Sequence, residues 1–229
     1  MINLIKAEQY KLLHSRCFWG MTFGSSLLSS ILLLDSRQLT ANLFYAALYN
    51  TPILYFLTIV FAAVFVGEDF GNRTINSLIC AGHSRSTVFF IKGIIYEIGS
   101  ILILSVSLLV YGIYEMITGA LPPIQFLQDC IMAFFSIIAM CSLPLLCSFV
   151  FKDIGRTLAV PMVLFFVSIF ILNNDQAGTI ATILPMGQLR LISLQALSVS
   201  NFTMIIIDIL WVAILSVLTY AAFRRTDLK

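Results

Sequence analysis

Six apolar segments constrain this chain more than any other feature of its sequence. They cover residues 17–34, 44–66, 88–113, 126–151, 157–172 and 202–223. A helix needs about 20 apolar residues, within a range of about 17 to 25, to cross the hydrocarbon core of a bilayer. Only 10% of the 229 residues are charged, whereas soluble domains carry roughly 25%. The sequence therefore predicts an all-α integral membrane protein, a single transmembrane domain over residues 1–229 with six transmembrane helices.

The distribution of lysine and arginine predicts the orientation of these spans. All basic residues except Arg37 and Arg190 lie in the two terminal segments or in the loops around 67–92 and 152–156. Because basic residues accumulate on the cytoplasmic side of membrane proteins, we expect both termini and these two loops in the cytoplasm. A five-span arrangement without the short segment 157–172 would place the basic C-terminus outside, so six spans fit better.

The segment before the first span, residues 1–15, is mildly amphipathic. One helical face carries Ile2, Ile5, Leu12 and Leu13. This pattern predicts a helix that lies along the cytoplasmic interface, although a basic flank that only sets the orientation explains the sequence equally well. No small-residue cleavage site follows the basic residues, so we expect the first span to be retained.

The polar segment 67–92 is the most distinctive part of the chain. Within it, residues 73–82 can form two helical turns with a small apolar face made of Ile75, Leu78 and Ile79. Gly82 should end this helix, and either Ser84 or Ser86 can cap the next one. A solvated loop would not need an apolar face. We therefore expect a short helix parallel to the membrane, placed where it can transmit force from a cytoplasmic partner.

This segment resembles the first cytoplasmic loop of ABC-2-type permeases, the transmembrane subunits of ATP-binding-cassette exporters. The resemblance is carried by Glu68, Arg73, Thr74, Leu78, Gly82, Ser84, Arg85 and Lys92. The opening Leu-Ile-Lys-Ala-Glu-x-x-Lys-Leu, residues 4–12, is similar to the N-termini of the small lantibiotic-immunity and bacitracin-resistance permeases. The likeness extends over the whole chain in length and number of spans, but its specific motifs lie in these two segments.

The resemblance implies a role for each distinctive segment. Residues 1–15 would be the elbow helix, and residues 73–82 would be the coupling helix that docks on the ATPase subunit. That contact would be made by Glu68, Arg73, Thr74, Leu78, Gly82, Ser84 and Arg85. Residues 180–197 are too short to span and too apolar for a free loop, so they would be outer re-entrant helices. An ordinary outer loop on the membrane surface is the alternative for this last segment.

The resemblance also implies partners and a location. Two permease chains, identical or related, would pair in the lipid of a bacterial plasma membrane, with the translocation path between them. They would export a hydrophobic or amphipathic substrate, such as an antimicrobial peptide. The chain has no G-x-x-x-x-G-K-[ST] phosphate loop, so ATP and Mg²⁺ would be bound by a separate ATP-binding-cassette subunit. We expect no ATPase site on this chain.

Two acidic residues, Glu97 and Asp208, lie more than one helical turn inside the predicted spans. Glu97 lies about one turn beyond Lys92, where it can reach the interface or pair with a cation. An ionisable group at membrane depth costs about 2.5–3.5 kcal/mol on insertion scales. Both residues are therefore candidates for structural pairing, gating or proton transfer. They motivate an alternative function, an ion- or proton-coupled secondary transporter, although the internal repeat usual in such transporters is not visible.

A pair of glycines, Gly20 and Gly24, stands in the first span with the spacing G-x-x-x-G. Small residues at this spacing let two helix backbones approach closely. Because the pattern often arises by chance, we expect packing within the bundle rather than a dimer seam.

Several other functional classes lack support in the sequence. The net charge is only +2, and no long run of basic residues indicates nucleic-acid binding. His14, His83 and the cysteines have no metal-ligand spacing. An intramembrane enzyme would need a cluster of polar residues at depth, which is not visible. We therefore expect no catalytic, metal or cofactor site on the chain.

Overall fold

The computed structural model describes residues 2–36, 39–173, 178–196 and 199–225, and within these ranges the chain forms helices and no strands. The helices are α1 (Ile2–His14), α2 (Arg16–Ser36), α3 (Leu43–Gly71), α4 (Thr74–Cys80), α5 (Arg85–Ile117), α6 (Pro123–Phe151), α7 (Ile154–Leu172), α8 (Gly178–Ile183), α9 (Pro185–Ser193) and α10 (Asn201–Arg225). The predictions that concern Met1, Arg37, Leu197 and residues 226–229 fall outside the described residues.

Six of these helices, α2, α3, α5, α6, α7 and α10, are long and apolar enough to cross a membrane. The prediction of an all-α, multi-pass membrane protein is confirmed to that extent. Each predicted apolar segment lies within one of these helices, and most of the helices continue past the apolar residues. In α5, for example, 33 residues span about 50 Å at about 1.5 Å per residue. The helices are longer than the apolar segments because helical backbone hydrogen bonds do not depend on apolar side chains. Water can solvate the polar side chains of the turns that extend beyond the membrane.

Aromatic contacts define one end of the bundle, which we call the basic end. Here the ring of Phe149 packs edge-to-face against Phe70, Phe89 and Phe223, with ring centroids 5.2–5.4 Å apart. These contacts gather the last turns of α3, α6 and α10 around the first turns of α5. The basic end also carries α1 and α4.

Polar contacts define the other end of the bundle, which we call the opposite end. The side-chain amide of Asn42 donates to the carbonyl oxygen of Ala120 at 3.2 Å. The Glu115 carboxylate accepts from the backbone N–H of Leu43 at 2.8 Å, which satisfies one of the free donors at the start of α3. The start of α3 is thereby joined to the end of α5 and to the loop that follows it.

Burial differs strongly between the spanning helices. Side chains of α3 and α6 are mostly enclosed by other helices, whereas α7 and α10 keep most of theirs on the outer surface. Lipid tails are as apolar as these exposed side chains, so the outer faces need no protein cover.

The short helix α9 packs against α3 and α6 at the opposite end, and the short helix α8 packs against α9 and α10. Gln188 and Leu189 of α9 are fully buried there. The two helices meet at a sharp corner, where Gly187 approaches the backbone of Ala181 so closely that a Cβ atom would lie 2.4 Å from the Ala181 carbonyl oxygen.

Candidate functional site

Four charged side chains meet at the basic end and form what we call the ionic cluster: Glu8, Lys11, Asp69 and Lys92. The Lys92 ammonium lies 2.7 Å from Glu8 Oε1 and 2.5 Å from Asp69 Oδ2. The Lys11 ammonium lies 2.6 Å from Asp69 Oδ1 and also donates to the carbonyl oxygen of Phe65 at 3.4 Å. The ionic cluster thus joins three helices, α1, α3 and α5.

The ionic cluster is largely enclosed by protein. The side chains of Glu8, Asp69 and Lys92 are only 7%, 6% and 1% exposed, whereas that of Lys11 is 41% exposed. The Lys11 ammonium lies 4.9 Å from the ring centroid of Phe65, within the range of a cation–π contact. An unpaired buried ion costs several kcal/mol. The three buried groups therefore stabilise one another only while α1, α3 and α5 keep their relative positions.

A change of helix type precedes Asp69. Residues Ala63–Gly67 of α3 form a π-helical turn, after which Glu68 continues in an α-helix. A π turn carries an extra residue, so it changes the direction of every side chain that follows, and such turns are frequent at functional sites. After this turn Asp69 is buried in the ionic cluster, whereas the neighbouring Glu68 is exposed.

The two faces of α4 differ in what they contact. Ile75 is fully buried, and the partly buried Leu78 and Ile79 pack against the hydrophobic core. The exposed residues form what we call the α4 stripe: Arg73, Ser77, Cys80 and Ala81. Positions three and four apart share one side of a helix, so the stripe is a continuous surface pointing away from the bundle.

Capping interactions fix the corner after α4. Gly82 adopts a φ of 94°, which favours glycine, and its N–H donates to the Ile79 carbonyl oxygen at 3.0 Å. The Ser84 hydroxyl then accepts from the Thr87 backbone N–H at 3.2 Å at the start of α5. The predicted stop at Gly82 is confirmed. Of the two serines considered as caps for the next helix, Ser84 makes the contact.

The residues predicted to contact an ATPase subunit differ in exposure. Exposed members are Glu68, Arg73, Gly82 and Ser84, and half-buried members are Thr74, Leu78 and Arg85. Leu78 packs against the core of the bundle. The guanidinium of Arg85 donates to the carbonyl oxygen of Arg224 at 3.2 Å, which ties the start of α5 to the end of α10. The exposed members therefore offer the surface available to a partner.

Helix α1 buries one side against the bundle, and most of the apolar face that predicted an interfacial helix lies elsewhere on its surface. Leu4, Glu8 and Leu12 are buried, one turn apart, whereas Ile2 and Leu13 are 69% and 54% exposed. This orientation of α1 about its axis turns Glu8 toward Lys92, with which it forms an ion pair. Hydrophobic periodicity alone does not predict that Glu8 is buried. The sequence signal for its burial is the pair of leucines, Leu4 and Leu12, at i−4 and i+4.

Pairing between Glu97 and Lys92, which the sequence allowed, does not occur. Lys92 contacts Glu8 and Asp69 instead, and Glu97 makes no ion pair with any described residue. Residues five apart on an α-helix point about 140° away from each other, which separates the two side chains. Glu97 Oε2 is buried and has no hydrogen-bond partner in the described part of the chain.

A polar network holds Asp208, which is 1% exposed. The Ser136 hydroxyl donates to Asp208 Oδ2 at 2.7 Å and also lies 3.4 Å from the Gln188 side-chain oxygen. The Gln188 amide donates in turn to the Thr182 carbonyl oxygen at 3.0 Å. The network connects α10, α6, α9 and α8, whereas Asp208 Oδ1 is buried without a hydrogen-bond partner among the described residues.

The glycine pair of α2 does not pack within the bundle, contrary to the prediction. A Cβ atom added at Gly20 or Gly24 would meet no atom within 4 Å. The row that α2 turns inward instead includes Phe18, Ser25 and Ser29. The Ser25 hydroxyl donates to the Ile103 carbonyl oxygen of α5 at 2.5 Å. This hydrogen bond orients α2 with its serines toward α5 and its glycines toward the outer surface.

Comparison with models of known protein families gives no match, and comparison with curated proteins gives no significant match either. Within the chain, the ionic cluster and the adjoining α4 are the features best suited to a function. They combine buried charge, a π-helical turn and an exposed helical surface at one end of the bundle. The ionic cluster links α1, α3 and α5, and α4 lies in the chain between the end of α3 and the start of α5.

Proposed function

We propose that the chain is the transmembrane permease subunit of an ABC-2-type exporter, powered by ATP hydrolysis on a separate subunit. The observation that carries this proposal is α4 with its two faces. Its apolar face is anchored on the bundle, and the α4 stripe is left for a partner. A helix held between two sharp corners moves as a unit when a partner pushes on it, as a coupling helix must.

The proposed orientation of the chain in the membrane follows from the positions of its positive charges. The basic end would face the cytoplasm, because lysine and arginine accumulate on that side of membrane proteins. In this orientation α1 would lie along the cytoplasmic interface as the elbow helix, and α4 would face the cytoplasmic ATPase. Helices α8 and α9 would then be re-entrant helices on the outer side.

The ionic cluster supports a mechanism for coupling. Nucleotide-driven closure of two ATPase subunits would push α4, which directly follows the end of α3 and precedes the start of α5. Because Lys92 and Asp69 bind across α5 and α3, and Glu8 adds α1, the three helices would move as one body. That motion would alternate access to a cleft between two permease chains in a plasma membrane.

The class of substrate follows from the resemblance described above. A hydrophobic or amphipathic molecule, such as an antimicrobial peptide, would be moved out of the cytoplasm or the membrane. Such a permease would serve self-immunity or antibiotic resistance in a bacterium.

One observation favours a second function, an ion- or proton-coupled secondary transporter. Glu97 Oε2 is buried without a partner, and an unpartnered carboxyl group within a span is a candidate carrier of a proton. Retention of an ATPase subunit distinguishes the two functions, because a secondary transporter needs none.

Charge reversal on the α4 stripe tests the proposed contact. We expect Arg73→Glu to reduce retention of the ATPase subunit at least about tenfold during purification in mild detergent, because like charges or lost ion pairs at a contact cost several kcal/mol. Lys6→Glu makes the same change at an exposed site of α1 and should retain the subunit. If Arg73→Glu retained as much of the ATPase subunit as Lys6→Glu and the unmodified chain do, the α4 stripe would be excluded as the docking surface.

A further inference from the structure

A groove at the opposite end combines charged groups with an apolar floor. It runs between the end of α2, the outer half of α3, the end of α7 and the start of α9. We call it the Arg190 groove, and its principal lining residues are Asp35, Tyr49, Ile53, Ile169, Met186 and Arg190. It is remote from the ionic cluster and from α4, so the proposed coupling mechanism does not use it.

The guanidinium of Arg190 is held in place by described residues that use only part of its hydrogen-bonding capacity. Nη1 donates to the Leu172 carbonyl oxygen at 2.7 Å and to Asn173 Oδ1 at 2.9 Å. The guanidinium carbon lies 5.8 Å from the ring centroid of Tyr49. Arginine has five N–H donors, and the remaining ones have no partner among the described residues. Such a fixed guanidinium matches the geometry of a phosphate group.

A negative charge lines the same groove. Asp35 is exposed at the end of α2, and its carboxylate makes no hydrogen bond or ion pair with any residue that the structure describes. It does not approach Arg190 closely enough for a salt bridge. The groove therefore presents one separated cation and one separated anion to whatever enters it.

The apolar floor of the groove extends away from these charges. Ile53 lies ten residues into α3, so it is about 15 Å along the helix from the opposite end. Ile169 is one turn inside the end of α7, and Met186 of α9 also lines the groove. A molecule that fits this surface has both charges at one end and an apolar body that reaches toward the bilayer centre.

We propose that the Arg190 groove binds the zwitterionic headgroup and one acyl chain of a phosphatidylethanolamine. The phosphate pairs with the free donors of Arg190, and the ammonium pairs with Asp35. The acyl chain lies over Ile53 and Ile169. Complementarity of charge selects this headgroup over phosphatidylglycerol, which brings a phosphate to Arg190 but no cation to Asp35.

Lipid titration of the purified full chain tests this site. Delipidated protein in detergent is titrated with palmitoyl-oleoyl phosphatidylethanolamine or phosphatidylglycerol, and bound lipid is counted by native mass spectrometry. We expect the phosphatidylethanolamine to bind about three- to fivefold more tightly than the phosphatidylglycerol, the range of one exposed ion pair. Asp35→Asn should remove this preference, and Arg190→Gln should weaken both lipids about tenfold or more.

Two controls separate the site from other sources of binding. Asp153→Asn removes the same charge at the basic end and should preserve the lipid preference. Soluble glycerophosphoethanolamine carries the same headgroup without acyl chains and should not compete. Equal affinity for both lipids, an Asp35→Asn variant like the wild type, or competition by the soluble headgroup would each overturn the proposal. Asp35 makes no hydrogen bond or ion pair with any described residue, and a melting curve of Asp35→Asn shows directly whether the variant is folded.

Discussion

Replacement of Lys92 by methionine is expected to destabilise the protein by about 3–5 kcal/mol. Methionine fills a similar volume, but it leaves Glu8 buried without its cation and removes one of the two cations that pair with Asp69. Lys11 still contacts Asp69, whereas Glu8 loses its partner altogether. For a chain of this size the loss corresponds to a fall of roughly 6–20 °C in the midpoint of thermal unfolding. The midpoint can be measured on the purified protein in detergent.

Two further variants distinguish loss of charge pairing from loss of packing. Lys6→Met removes a cation from an exposed position of the same end and should leave the midpoint unchanged. A double variant, Lys92→Met with Glu8→Gln, removes the charge that is left uncompensated and should recover most of the stability. A Lys92→Met protein as stable as the wild type would show that the ionic cluster does not hold the three helices together.

Replacement of Gly187 by alanine is expected to destabilise the protein by at least about 2 kcal/mol, within the range found for overpacked sites. The new Cβ would lie 2.4 Å from the carbonyl oxygen and 2.6 Å from the Cα of Ala181. Both are backbone atoms, so no side-chain rotation can relieve the contact. The gain of alanine over glycine in a helix, about 1 kcal/mol, is smaller than this penalty. The free energy of unfolding in mixed detergent micelles measures the difference.

The matched control for this variant is Gly24→Ala in α2. A Cβ at Gly24 meets nothing within 4 Å, so this variant should be neutral or slightly more stable through helix propensity alone. If Gly187→Ala were as stable as Gly24→Ala, the corner between α8 and α9 would be less tightly packed than the structure has it.

The spans could be predicted from the sequence because each depends on a local property. A run of apolar residues long enough to cross the bilayer has few alternatives to a helix, since lipid cannot satisfy backbone hydrogen bonds. The end of α4 was equally local, because Gly82 supplies the positive φ and Ser84 supplies the cap. These features need only a few neighbouring residues to specify them.

The ionic cluster could not be predicted in the same way, because it joins residues far apart in the chain. Glu8 and Lys92 are separated by 84 positions. Their contact depends on how α1 rotates, and the position of Asp69 depends on the π-helical turn before it; neither leaves a periodic signal. The same reasoning applies to Asp208, whose partner Ser136 lies 72 positions away.

The glycine pair of α2 shows why a motif without its context misleads. Gly20 and Gly24 satisfy the spacing for close helix packing, but the hydrogen bond from Ser25 to α5 turns the other side of α2 inward. The orientation of a helix depends on the sum of its contacts. Spacing alone identifies a face and not the direction in which it points.

Co-purification of an ATPase tests the central proposal most directly. The tagged chain would be isolated from its native membrane in mild detergent, and every co-purifying chain would be identified and quantified by mass spectrometry. The proposal predicts a soluble subunit with a G-x-x-x-x-G-K-[ST] phosphate loop in a one-to-one ratio with the permease. A stable protein that is isolated without any such subunit would contradict it and would favour the secondary transporter.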